Sequence, residues 1–237
     1  MKIFINNSPN FSRKMRSSKD IKFIIIHYTG MQSEIESIKR LKNPKHRVSC
    51  HYLINRSGQV TQMVKDKNIA WHAGKSKWKN FDNLNDNSIG IELVNKGHQF
   101  GYQNFSKKQI ISLIKLCKNL KKKYSIKKEN ILGHSDIAPL RKSDPGEKFP
   151  WKKLSTYNLG VWYKKKQLHH KPNKKVLTKL FFKNLEKLGY RYFKINKRNP
   201  DDKKIIKSFQ QHYLQKSVTG RIDKKTFKIS HFLTHQS

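Results

Sequence analysis

The stretch Ile21-Lys22-Phe23-Ile24-Ile25-Ile26-His27-Tyr28-Thr29-Gly30 decides the fold. Its aliphatic residues alternate little with polar ones and are mostly β-branched, the pattern of a strand covered on both faces. Such a strand belongs in the middle of a sheet with other layers packed against it. We read it as spanning Ile21 to Ile26, so that His27 stands where the strand opens into a loop.

Working outward, Ser33 to Leu41 can form a short helix. His51-Tyr52-Leu53-Ile54 and Gln59-Val60-Thr61-Gln62 flank Arg56-Ser57-Gly58, which reads as a hairpin. Ile89-Gly90-Ile91-Glu92-Leu93-Val94 is a further strand, with Ile89, Ile91 and Leu93 on one face and Glu92 on the other. Ser106 opens a long amphipathic helix that ends near Tyr124, its apolar stripe made of Ile110, Ile111, Leu113, Ile114, Leu116, Cys117 and Leu120. Ile131-Leu132-Gly133 gives a short strand, and His134 follows its end as His27 follows the first. Strands alternating with helices imply an α/β fold with a central mixed sheet flanked by helices.

From residue 164 the chain turns polar and lysine-rich without apolar periodicity, and beyond it Val176, Leu177, Leu180, Phe181, Leu185 and Leu188 recur at helical spacing. Ile205, Ile206, Phe209 and Tyr213 mark a second helix there, and Phe227, Ile229 and Phe232 a third. We therefore expect an α/β domain over residues 1–163, a linker over 164–174, and a small three-helix unit over 175–237. Because every candidate site residue precedes the linker, the first domain is expected to be self-sufficient in catalysis.

The 237 residues carry 53 Lys and Arg against 15 Asp and Glu, a formal charge of +38. A polyanionic partner would explain that excess. The lysines are spread along the whole chain, however, which equally fits solvated faces filled with Lys by compositional drift. No nucleic-acid recognition motif accompanies the charge, so no specific nucleic-acid partner is expected. No run is long and apolar enough to cross a bilayer, and Met1 to Ser8 lacks the apolar core of a secretory signal. Cys50 and Cys117 are far apart, in segments read as a strand and a helix, and no disulfide is expected between them.

Two histidines at strand ends, His27 and His134, together with Asp144 in Arg141-Lys142-Ser143-Asp144-Pro145-Gly146, supply two imidazoles and one carboxylate. A catalytic zinc takes three such protein ligands and leaves the fourth position to water.

The segments Ile26-His27-Tyr28-Thr29, Ala70-Trp71-His72-Ala73-Gly74, Ser88-Ile89-Gly90-Ile91-Glu92-Leu93 and Gly133-His134-Ser135-Asp136-Ile137-Ala138-Pro139 through Lys142-Ser143-Asp144-Pro145-Gly146 resemble the N-acetylmuramoyl-L-alanine amidase type 2 family. That family includes anhydro-muropeptide amidases and is related to the peptidoglycan recognition proteins. The resemblance runs from about Ile21 to Trp151, with the motifs in order. It implies hydrolysis of the amide between the muramic-acid lactyl group and L-alanine, with peptidoglycan or muropeptides as substrate. It further implies Zn2+ held by His27, His134 and Asp144, Glu92 as the acid/base, Lys142 as a catalytic lysine, and Tyr28, Trp71 and His72 bordering the substrate. One departure is visible: some relatives carry a tyrosine just before the residue matching His51, where this chain has Cys50.

Leu185-Glu186-Lys187-Leu188-Gly189-Tyr190, Phe209-Gln210-Gln211 and Thr219-Gly220-Arg221-Ile222-Asp223 resemble the three-helix peptidoglycan-binding domain that often follows cell-wall hydrolases. Three functional classes thus compete: an active amidase, a receptor-like relative that binds muropeptide without cutting, and a basic polyanion binder. The complete set His27, His134, Asp144 and Glu92 favours the first. We expect a monomer, and the polymer-binding resemblance places it in the cell envelope.

Overall fold

A computed structural model describes residues 1–164 and 174–235. In chain order its elements are strand β1 (Ile3–Ile5), β2 (Phe11–Met15), β3 (Phe23–Tyr28), helix α1 (Glu34–Lys42), β4 (Tyr52–Ile54), β5 (Val60–Gln62), β6 (Asn68–Ala70), β7 (Lys77–Trp78), β8 (Phe81–Asp82) and β9 (Ser88–Leu93). Then follow α2 (Lys107–Lys123), β10 (Ile131–Gly133), α3 (His134–Ile137), α4 (Trp151–Ser155), α5 (Lys174–Leu188), α6 (Asp202–Tyr213) and α7 (Lys224–Thr234). The expected linker lies almost wholly outside the described residues.

Six strands form one sheet in the order β1-β5-β4-β9-β3-β10. β3 sits between β9 and β10 and is parallel to both, while the β4–β5 hairpin is antiparallel, so the sheet is mixed as expected. Strand β3 runs further than the sequence reading had it. His27 and Tyr28 stay in the ladder because β9 continues alongside them, pairing Glu92 and Leu93. His27 is therefore held by strand hydrogen bonds and not by a loop.

Alternation along β3 splits its side chains between two cores. Ile24 and Ile26 join Ile89, Ile91 and Leu93 on the face covered by α2, through Ile110, Leu113, Ile114, Leu116, Cys117 and Leu120. Ser106 caps that helix by accepting the Gln109 N–H at 3.0 Å. Ile111, counted in the apolar stripe, is instead 48% exposed. Its position one step round from Ile110 carries it off the buried face.

Phe23 and Ile25 point the other way, into a core shared with Trp78, Leu132 and Ile137 and with Phe181, Leu185, Tyr190, Ile205 and Phe209 of the helical unit. The three expected helices are present, and they bury their aromatic side chains directly against the sheet layer. Both cysteines are buried and free. Among the described residues no helix is long and apolar enough to cross a membrane.

Candidate active site

Parallel pairing of β3 with β9 sets His27 beside Glu92, and pairing of β3 with β10 sets Gly133 beside Ile26. Residues in register on adjacent strands project to the same face. His27 and Glu92 thus share a face, and His134, the first residue past β10, emerges next to them. Asp144 arrives from the loop after α3. His27 Nδ1 lies 2.9 Å from His134 Nδ1, and Asp144 Oδ2 lies 3.0 Å from each. All three residues are buried.

The surrounding hydrogen bonds decide what these atoms can be. The Ser88 hydroxyl donates to the Leu84 carbonyl, so its oxygen is free to accept from His72 Nε2 at 3.2 Å. With its hydrogen on Nε2, His72 accepts at Nδ1 from His27 Nε2, 3.0 Å away. His27 accordingly carries its hydrogen on Nε2 and presents a bare Nδ1. His134 Nε2 faces the Ala73 carbonyl at 3.1 Å, an acceptor, and the Arg141 Nη2 donor at 3.3 Å; because Arg141 donates at closer range to that same carbonyl, the nearer acceptor favours the hydrogen on Nε2 and a bare Nδ1. Two imidazole lone pairs and a carboxylate oxygen then converge with no hydrogen between them. That arrangement could hold a metal ion, and two neutral nitrogens with one oxygen is a donor set for a transition metal such as zinc.

Electrostatics agree with the geometry. Burial first, then the neighbouring His134, pushes His27 down to about 4, so its imidazole is neutral near pH 7. Burial opposes the Asp144 carboxylate, yet His134 and then His27, when protonated on the nitrogens that face it, hold it well below its ordinary range; a cation in the same place would favour its charge with those nitrogens bare. Glu92 goes the other way: burial, then the charge of Asp144, raise it to about 8, opposed by Lys142. Its Oε2 is buried without a hydrogen-bond partner among the described residues. A carboxyl held in that condition beside a cation site is placed to exchange a proton.

These groups open onto a cavity of about 650 Å³ whose lining includes Tyr28, Trp71, Lys142 and Arg40. The Tyr28 hydroxyl lies 2.8 Å from His98 Nδ1 and 3.2 Å from Ser143 Oγ, and His98 Nε2 lies 3.0 Å from Glu147. Trp71 forms part of the wall, with the Arg47 guanidinium 5.8 Å from its ring centre. Lys142 is exposed at the rim. His72 touches the cavity, yet it is only 8% exposed and both of its nitrogens are engaged behind His27. Its ring fills the space above Gly90, where an added Cβ would meet the ring at 2.3 Å.

Sequence reasoning missed His98, Glu147 and Arg141. His98 and Glu147 sit in loops with no periodicity, and only the fold joins them. Arg141, three residues before Asp144, donates to the Ala73 carbonyl that also receives His134. At the departure, Cys50 is fully buried with Sγ 3.9 Å from Met63 Sδ. Burial, then Glu92, holds its thiol well up, so it offers no replacement for a phenol.

Known proteins are similar to this chain in sequence and fold. The chain is 34% identical over 230 residues to the N-acetylmuramoyl-L-alanine amidase AmiD of Escherichia coli K12, spanning 90% of this chain and 82% of that one. The structure of AmiD in complex with the substrate anhydro-N-acetylmuramic acid-L-Ala-D-gamma-Glu-L-Lys matches with a TM-score of 0.80 at 32% identity, over 93% of this chain and 92% of AmiD. AmpDh3 of Pseudomonas aeruginosa, in complex with anhydromuramic pentapeptide, matches with a TM-score of 0.81 at 28% identity over 98% of both chains. The 1,6-anhydro-N-acetylmuramyl-L-alanine amidase AmpD of Haemophilus influenzae is 36% identical over 164 residues, 62% of this chain and 86% of that protein. Residues 17–147 match the family model described as N-acetylmuramoyl-L-alanine amidase, and with AmiD and AmpDh3 each matching 90% or more of its length, this chain belongs to the N-acetylmuramoyl-L-alanine amidase family.

Proposed function

We propose that the protein hydrolyses the amide between the muramic-acid lactyl group and L-alanine in muropeptides, with zinc held by His27, His134 and Asp144. The observation that carries this reading is the convergence of two imidazole nitrogens and one carboxylate oxygen beside Glu92, whose Oε2 has no partner among the described residues. Zinc bound there would polarise the amide carbonyl and bring the pKa of water towards ~7.

The chain's own residues supply the rest. Glu92 takes a proton from the attacking water as its oxygen bonds to the carbonyl carbon, then gives that proton to the alanine nitrogen as the C–N bond breaks. The products are a muramic acid and a peptide with a free amino terminus. Lys142 stands at the cavity rim as a cation where the oxyanion develops. Tyr28 and Trp71 shape the wall that holds the sugar-peptide. The mixed lining, with aromatic faces beside hydrogen-bonding groups, suits an amphiphilic glycopeptide.

The three-helix unit we read as a hold on the polymeric wall, on the strength of the motifs in Leu185 to Asp223 and the raised local concentration that tethering provides. That reading favours action in the cell envelope. The test of the whole proposal is to incubate the purified protein with a soluble muramoyl-L-alanyl peptide, strip it with a chelator, and restore it with zinc. Release of the free peptide that ignores both treatments would overturn the zinc-amidase reading.

A further inference from the structure

Residues 133–137 form the turn that presents His134, and they also fasten the second ligand. The Ser135 N–H donates to the Asp144 carbonyl at 2.8 Å, so the Asp144 loop hangs on this turn. Asp136 holds the turn from inside, its Oδ2 accepting from the Gly133 N–H at 2.8 Å.

Three further bonds join the turn to the helical unit. The Tyr190 hydroxyl donates to Asp136 Oδ1 at 2.6 Å. His212 Nδ1 lies 2.8 Å from Asp136 Oδ2 and must carry the hydrogen, since a carboxylate oxygen accepts. Ser208 Oγ donates to the Ser135 carbonyl at 2.7 Å. Asp136, Tyr190, Ser208 and His212 are all at most 3% exposed, so water does not compete for these bonds. His212 is clamped between Trp151 and Tyr213, with ring centres 3.9 and 4.0 Å away. Its Nε2 is buried without a partner among the described residues, an arrangement that costs stability. A ring kept at that cost is held there for the bond from its other nitrogen.

We propose that the helical unit positions the metal ligands, with Tyr190 and His212 acting as positioning residues through Asp136 on the turn that carries His134 and suspends Asp144. Outer partners of a metal site fix ligand orientation, and their loss typically lowers metal affinity or activity ~10–100-fold. The helices are in this sense part of the catalytic centre, whatever else they bind. The inference rests on the metal reading of the site and not on the identity of the amide.

The test compares full-length wild type with Y190F/H212F, which keeps an aromatic ring at both positions and removes the two donors that the helical unit gives Asp136. Zinc dissociation constants come from competition with a chromogenic chelator, kcat and KM from a soluble muramoyl-L-alanyl peptide, and Tm from the metal-free protein. We expect the zinc dissociation constant to rise about tenfold and kcat to fall with KM little changed. H212N, which keeps a donor near the Nδ1 position, should restore zinc affinity relative to H212F. A lowered Tm with zinc affinity and kcat unchanged, measured where the variant is folded, would show mere structural glue and overturn the proposal. If the double variant does not fold, Y190F alone decides: it removes one oxygen, and unaltered zinc affinity overturns the proposal equally. Wild type that binds no zinc sinks the metal reading itself, whereas wild type that binds zinc but leaves the amide intact sinks only the substrate.

Discussion

His27 and Glu92 face each other across adjacent parallel strands, one in the convergent group with His134 and Asp144 and the other with a buried oxygen that has no partner among the described residues. Strand register, not loop conformation, thus fixes the distance between ligand and base. Replacing Glu92 with Gln keeps shape and burial while removing the proton acceptor. Zinc content should stay at the wild-type level and hydrolysis should fall by at least ~100-fold, as loss of a positioned acid/base does. Near-normal turnover on the soluble peptide would move the base role to another group.

The same substitution should stabilise the metal-free fold. Burial, then the charge of Asp144, pushes the Glu92 carboxyl in the folded protein from its ordinary 4.5 up to about 8. A carboxyl raised in this way favours the folded state only while protonated, so stability is lost as pH climbs from 4.5 through about 8. Gln carries no such loss. Denaturant titrations of metal-free wild type and E92Q should coincide near pH 4 and diverge as pH rises, E92Q ending more stable by on the order of 1–3 kcal/mol. In the zinc-loaded enzyme the nearby cation favours the carboxylate, so the acidic limb of kcat/KM should lie below 8. An unchanged gap between the two proteins across the pH range would remove Glu92 as the strained group.

Loss of any one member of the convergent set should empty the site. H27A, H134A and D144A should each lose most of the zinc that the wild type retains after purification, because two ligands and water hold a catalytic zinc poorly. Metal analysis giving full occupancy in all three variants would sink the assignment.

Gly90 has no side chain because His72 occupies the space above it. An added methyl would meet the imidazole at 2.3 Å, and that imidazole receives the hydrogen of His27 Nε2. G90A should therefore destabilise by ~1–3 kcal/mol, as overpacking does, and should weaken zinc binding by turning His27. The control is S88A, which spares the packing and removes only the acceptor that sets the His72 tautomer. A G90A protein with intact zinc affinity would mean that His72 can yield without disturbing His27.

Much of this site was legible because its parts lie in short runs with local meaning. Ile21 to Ile26 announces a central strand, and alternation in Ile89 to Leu93 sets Glu92 opposite its aliphatic neighbours. The motifs around His134 and Asp144 then supply roles that spacing alone leaves open. What stayed hidden depends on pairs far apart in the chain. Nothing near His72 indicates that both its nitrogens are used behind His27, since Ser88 and His27 lie on two other strands. Likewise the apolar spacing of Phe181, Leu185 and Phe209 shows that these helices bury a face, without showing that Phe23 and Ile25 lie beneath it. Helical periodicity gives the buried side of a helix and is silent about what covers it.

That shared core bears on how far the two parts of the chain can be separated. With all ligands before residue 164, the sequence favours a self-sufficient catalytic domain; the packing argues that a chain ending at 171 should be crippled even on a soluble substrate. Removing residues 172–237 uncovers Phe23, Ile25, Leu132 and Ile137, each at most 3% exposed in the full chain. Every such side chain returned to water costs ~1.5–3 kcal/mol, and a handful of them approaches the ~5–15 kcal/mol that stabilises a whole domain. The truncation also deletes the Tyr190 and His212 donors to Asp136 and the Ser208 bond to Ser135. The expected outcome is a marked drop in Tm together with weakened zinc binding and cleavage, and addition of excess zinc should recover part of both by mass action. Wall binding is a separate quantity, to be read by co-sedimentation with sacculi near physiological salt, where charge attraction is screened beyond about 8 Å. Full activity of the truncated chain on the soluble peptide, at unchanged Tm and zinc affinity, would show that the helices serve the polymer alone.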